Sequence, residues 1–274
     1  MKLLQTIGGA LLAVAALGSW GAFGQLNLIP VSQDPVLGAQ AYPELLANDS
    51  LIESGAEHQM VVSMTDRLVR AAKEIDPDIA NQFEWEVVLV RRDDLVNAWC
   101  LPGGKMAVYT GILPVANDGS GDMETGLAVV MGHEIAHATL RHGTRAMTRQ
   151  MGASAIIGIV AVALGGSESS NLATGLAGLA TNLASLSYGR DAELEADRRG
   201  LTYMAKAGYD PRAAVGFWQR MKAASGGQAP PEWLSTHPSN DNRIKQIESL
   251  LPEVIPIYEQ SGSSGRLKSF KPSN

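Results

Sequence analysis

The 274-residue chain carries 22 Lys and Arg against 28 Asp and Glu, a net charge of −6, with 45% hydrophobic residues. An acidic chain without basic clusters argues against nucleic-acid partners. The single cysteine, Cys100, excludes an internal disulfide. The length suits one domain with room for an appendage.

At the N-terminus, Met1-Lys2, an apolar Ala/Gly/Leu-rich stretch over 3–17 and the small residues Ala22 and Gly24 read as an export signal over 1–24. Cleavage is expected near Gly24–Gln25. The alternative is a retained anchor, for which the apolar run is short, because a span needs about 20 residues. Residues 25–48, with three prolines, read as an extended arm. Ser54 to Ile75 has helical apolar spacing. Trp85 to Val90 and Val96 to Cys100 read as strands, Pro102-Gly103-Gly104 as a turn, and Lys105 to Thr110 as the return strand of a small antiparallel meander. Met106 to Thr110 is the candidate substrate-binding edge, and a purely structural strand is the alternative. A helix is then predicted over Gly121 to Met147, with Asp122 as its N-cap.

Within that helix lies His133-Glu134-Ile135-Ala136-His137. Four residues make just over one helical turn, so both imidazoles leave the same face and can take two corners of a tetrahedral zinc site. Glu134 cannot reach the same metal corner, but it can reach a water at the metal, where a general base for hydrolysis must sit. His142, five residues after His137, fits no third-ligand spacing. On a continuous helix it would be rotated off the ligand face, and it reads as a helix C-terminal histidine with Gly143 as the stop. The other source of a third ligand is a later helix, Asp191 to Gly208. There Glu193 and Asp197 share a face, so Glu193 could bind the metal and Asp197 could accept the free N–H of a ligand histidine. Glu195 points roughly the opposite way.

Between these helices, 151–187 is almost free of charge and holds two apolar halves, each short for a membrane span. It reads either as an Ala/Gly-rich hairpin packed on the domain or as a flap touching a membrane. Arg212 to Ala224 reads as a helix, 226–231 as a loop, and 259–274 as a disordered tail.

The two metal motifs resemble those of the gluzincin metallopeptidases of the CAAX prenyl protease and HtpX type, in particular the periplasmic branch that includes BepA and LoiP. Asn97 to Gly104, Tyr109-Thr110-Gly111, Ala207 to Pro211 and Thr236-His237-Pro238-Ser239 also match, in family order, over roughly residues 33 to 250. The resemblance implies an α+β, mainly α, zincin-like metallopeptidase domain over 49–258. It implies one Zn2+ per chain held by His133, His137 and Glu193, with Glu134 as catalytic base. It also implies that His237 can occupy the fourth zinc position and hold the enzyme off. A hydrogen-bond donor to substrate and a loop-packing residue are the alternatives for His237. The oxyanion donor is open among Arg190, Tyr188 and His237. The expected function is a periplasmic zinc endopeptidase acting on unfolded or misassembled envelope polypeptides, with 151–187 as a possible contact to the membrane or an outer-membrane complex. The rival is an envelope chaperone-like binding protein that cleaves little.

Overall fold

Burial along each central strand alternates between two apolar clusters, so the sheet is covered on both faces. The computed structural model describes residues 27–150, 187–224, 231–237 and 242–263. In chain order these form α1 (Asp34–Leu46), β1 (Leu51–Ile52), α2 (Ala56–Ile75), α3 (Pro77–Ala80), β2 (Glu86–Val90), β3 (Ala98–Cys100), β4 (Lys105–Tyr109) and α4 (Leu113–Ala116). After them come α5 (Glu124–Thr139), α6 (His142–Gln150), α7 (Arg190–Lys206), α8 (Ala213–Ala224), α9 (Glu232–Thr236) and α10 (Arg243–Ser263). Among the described residues no helix is long and apolar enough to cross a membrane. The expected export signal and the 151–187 contact segment lie outside the described residues, except for Ser187.

The sheet is mixed, in the order β1-β2-β4-β3, and not the antiparallel meander expected. β4 pairs antiparallel with β3 and parallel with β2, from Glu86↔Lys105 to Val90↔Tyr109. The reason is the 91–97 connection. It carries the chain past one strand width, and the return strand fills the gap it leaves. Consequently Met106–Tyr109 is a central strand, and the edge beside the motif helix is β3.

Met106, Val108, Leu89, Ala98 and Cys100 face the main core with α2 and α5. Ala107, Tyr109, Val90, Trp99 and Leu101 face a second cluster with Leu37, Ala41 and Tyr42 of α1. The arm is therefore not extended. Leu37, Ala41 and Tyr42 lie on one helical face, and Pro35 sits in the first turn, where its missing N–H costs nothing. The Tyr42 hydroxyl donates to the Met106 carbonyl at 3.2 Å. Gly103, at φ 81°, permits this docking: a Cβ there would stand 2.3 Å from Pro35 Cα.

The helix expected over Gly121 to Met147 is two helices. The α5 N-terminus does use Asp122, whose Oδ1 accepts the Thr125 N–H at 2.9 Å. The break falls at Arg141, the one non-glycine residue with positive φ among the described residues, at 58°. Its guanidinium holds that conformation by donating to Asp34 Oδ2 and Oδ1 at 2.7 and 2.8 Å and to the Ile29 carbonyl at 2.6 Å. Asp34 is fully buried. Of the expected tail, 259–263 instead continue α10, anchored by Ile247, Leu250 and Val254 in the core, and 264–274 lie outside the described residues.

α5 and α7 make the most extensive helix pair. They meet at Gly132 and Gly200, where a Cβ on Gly200 would lie 2.8 Å from both Gly132 C and His133 N. Backbone thus rests on backbone one residue before His133. Gly200→Ala should force the helices apart and cost about 1–3 kcal/mol, the usual scale for overpacking. It should also weaken metal binding. Thermal melts with and without metal check both effects.

Candidate metal centre

α5 is buried on every side from Gly126 to Thr139. That gives its two histidines no solvent-facing rotamer and fixes their direction. His133 and His137 leave one face of α5, Glu193 enters from α7, and His237 follows the end of α9. All four are buried, and their ligand atoms lie within 4.8 Å of one another. His133 Nε2 is 2.9 Å from His137 Nε2 and 3.2 Å from His237 Nδ1. Glu193 Oε1 is 3.1 Å from His237 Nδ1 and 3.4 Å from His137 Nε2. A tetrahedron with metal–ligand bonds of about 2.1 Å has edges of roughly 3.4 Å, close to these separations. Three imidazole nitrogens and a carboxylate oxygen converge with too few protons to satisfy one another. A shared cation satisfies all four, so the donor set fits a divalent metal.

The surrounding groups hold His137 and Glu193 in the forms a metal needs, a neutral imidazole and an ionised carboxylate. Burial and then His133 push His137 well below the ordinary histidine range. Burial alone would raise Glu193, but hydrogen bonds from His137 and His237 outweigh it and hold the carboxyl low. Burial would likewise raise Asp197, and the charge of Arg243 together with His133 lowers it. For His237, burial opposes the charge while Glu134 and Glu193 outweigh it and raise the group.

Asp197 Oδ1 stands 3.0 Å from His133 Nδ1, the atom that faces away from the cluster. Arg243 braces both acids, donating to Glu193 Oε2 and Asp197 Oδ1 at 2.7 Å each. Its guanidinium carbon lies 3.8 Å above the Trp218 ring centroid. Glu134 stands beside the donors. Its Oε1 accepts the Trp233 indole N–H at 2.7 Å and lies 3.3 Å from His237 Nε2. Tyr188 stacks on His137 with ring centroids 4.1 Å apart. Burial and then Glu134 raise its phenol, which keeps its proton. Arg190 is exposed at the first residue of α7 and, among the described residues, joins no contact of the cluster.

His142 is not a helix-end histidine near the dipole. The Arg141 break starts a new helix there and turns the ring back beneath His137, with Nδ1 to Nδ1 at 2.8 Å. Its Nε2 is 3.1 Å from Glu195 Oε2. Burial brings His142 down to about 4, so the ring is neutral near pH 7. Arg243, Trp233 and the His142–Glu195 pair are the site residues that sequence reasoning missed. The segment 232–243 carried no helical pattern long enough to place them. The break at Arg141 depends on Asp34, more than a hundred residues earlier.

A sequence profile of Peptidase family M48 matches residues 56–251. The chain belongs to peptidase family M48. It is a metalloendopeptidase of that family. It is 32% identical over 268 residues to the mitochondrial metalloendopeptidase OMA1 of Schizosaccharomyces pombe, covering 92% of this chain and 74% of that protein. It is 34% identical over 228 residues to the human mitochondrial metalloendopeptidase OMA1, covering 80% of this chain and 42% of that one. A putative beta-barrel assembly-enhancing protease of Vibrio cholerae is 30% identical over 241 residues, covering 84% of this chain and 46% of that protein. The chain thus spans less than half the length of the human and Vibrio relatives.

Removing Arg243 leaves two buried carboxylates facing each other without a counter-charge. Arg243→Ala should cost about 3–5 kcal/mol, as for other broken buried pairs. Denaturant unfolding of the metal-free protein measures it. A loss under 1 kcal/mol would contradict the brace.

Proposed function

We propose that this chain is a zinc endopeptidase of the bacterial envelope, held in a resting state by His237. The convergence of His133, His137, Glu193 and His237 beside Glu134 carries the reading. In it, His133, His137 and Glu193 are the permanent ligands. Bound there, zinc supplies Lewis-acid polarisation of water and of the scissile carbonyl. Glu134 takes the proton of the attacking water and delivers it to the leaving amine. The Trp233 indole fixes the Glu134 carboxylate through one oxygen. Tyr188, a protonated phenol against His137, is better placed than the exposed Arg190 to donate to the developing oxyanion. The β3 edge, close to α5 and buried in this state, would take an extended substrate by strand addition once uncovered, which favours unfolded polypeptides over particular side chains.

His237 supports the resting-state reading because its Nδ1 sits among the donors while its Nε2 lies against Glu134. One ring therefore meets both the metal position and the base. Opening requires 231–237 to withdraw. The beta-barrel assembly-enhancing proteases among the relatives support a role in envelope protein quality control, and the export signal read over 1–24 would carry the chain to the periplasm.

Glu134→Gln should bind one zinc per chain with wild-type affinity and lose casein cleavage by several orders of magnitude, because this side chain moves the proton and holds no metal. Near-normal cleavage at full zinc content would sink the assignment.

The sign of a second substitution tests the resting state. At matched zinc content, His237→Ala should cleave unfolded casein faster than wild type and digest itself. A drop of about 10²–10³, the cost of a lost oxyanion donor, would refute the block.

A further inference from the structure

His137 presents Nε2 to the donor cluster, 2.9 Å from His133 Nε2 and 3.4 Å from Glu193 Oε1. A neutral imidazole that gives Nε2 to a metal carries its proton on Nδ1. That Nδ1 faces His142 Nδ1 at 2.8 Å, and only one proton fits between them. His142 must accept with Nδ1 and carry its own proton on Nε2. Its Nε2 meets Glu195 Oε2 at 3.1 Å, and a carboxylate oxygen can only accept there. Each link leaves one choice for the next.

We infer that His142 and Glu195 are positioning residues for the metal site, a hydrogen-bonded chain behind His137 that selects its tautomer and aims its Nε2 into the donor cluster. The inference rests on the metal reading above and extends it to residues outside the ligand set. It gives the two ligand histidines matching support from one helix. Asp197 backs His133 directly, and Glu195 backs His137 through an inserted imidazole. Arg145 steadies the far end, donating to Glu195 Oε2 at 3.4 Å and to the Leu140 carbonyl at 2.5 Å. The Arg141 break makes this geometry. On a continuous helix, five residues would carry His142 about 140° around the axis from His137.

A buried histidine that only fills space would produce a different pattern. The test measures zinc affinity by chelator competition and melting of the metal-free chain, in a Glu134→Gln background that prevents self-digestion. His142→Phe keeps ring volume and should weaken zinc binding roughly 10–100-fold, the scale for outer partners of ligand histidines. His142→Asn should recover most of that loss, because its carbonyl oxygen can stand where Nδ1 accepts. Glu195 is 41% exposed in its side chain, so its removal leaves the core intact. Glu195→Ala should weaken zinc binding about tenfold alone and add nothing to His142→Asn, since linked groups are non-additive. In the zinc-loaded chain, the imidazole 15N shifts of His142 should report a proton on Nε2. Should His142→Phe not fold, Glu195→Ala and the 15N shifts decide. Wild-type zinc affinity in both His142→Phe and Glu195→Ala, or a proton on His142 Nδ1, would overturn the chain while leaving the ligands standing. A parent that binds no zinc would overturn the ligand assignment and the chain together.

Discussion

Everything at this site depends on two helices touching through bare backbone. At Gly132 and Gly200 the α5–α7 crossing has no side chain to hold it open. His133 follows directly on one helix, and Glu193 lies two turns earlier on the other. Carboxylate and imidazole can then converge, Glu193 Oε1 standing 3.4 Å from His137 Nε2. Side chains at the crossing would widen the helix separation toward the usual 8–10 Å, and Glu193 is too short to make up the difference. The clustered donors specify the chemistry, and the two glycines let them meet.

Charge is the second constraint. Glu134, Glu193 and Asp197 are all buried within one small volume, and isolated carboxylates do not survive there. Arg243 offsets two of them through a fork that a lysine could not reproduce, and its stacking on Trp218 fixes the plane of the fork. Trp233 supplies a neutral donor to the third. The indole that holds Glu134, the imidazole of His237 and the guanidinium brace therefore come from three residues close in sequence, Trp233, His237 and Arg243. A displacement of these residues would change proton affinity, metal access and local charge balance together.

The motif spacing in the sequence already implied the core of this arrangement. Helical period puts His133 and His137 on one face and Glu193 and Asp197 on one face of a second helix, and the family resemblance joined the two faces into one site. The α+β fold class came with the family resemblance, and the strand and helix patterns placed most of its elements. What stayed hidden depends on contacts distant in sequence. The mixed sheet arises because β4 inserts between two strands that precede it, and no local pattern announces an insertion. The α1 helix was masked by the prolines of the arm: Pro35 stands in its first turn, where the missing N–H costs nothing, but Pro43 lies inside it, where proline ordinarily argues against a helix. His142 was misplaced because Arg141 looks like an ordinary helical residue until buried Asp34 captures its side chain. Trp233 and Arg243 follow no periodic signal, since each acts singly from a helix end.

The Asp34–Arg141 pair also bears on where the folding unit begins. The family profile starts at residue 56, which would make the preceding arm look like a leader or linker. Yet the arm packs on one face of the central strands and clamps the bend beneath His137. A chain cut before residue 50 would expose Trp99 and Tyr109 to water and release a left-handed arginine from its only carboxylate partner among the described residues. The peptidase is therefore larger than its recognisable motif region. Its N-terminal arm belongs to the catalytic body as a structural strut, though it supplies no ligand and no base.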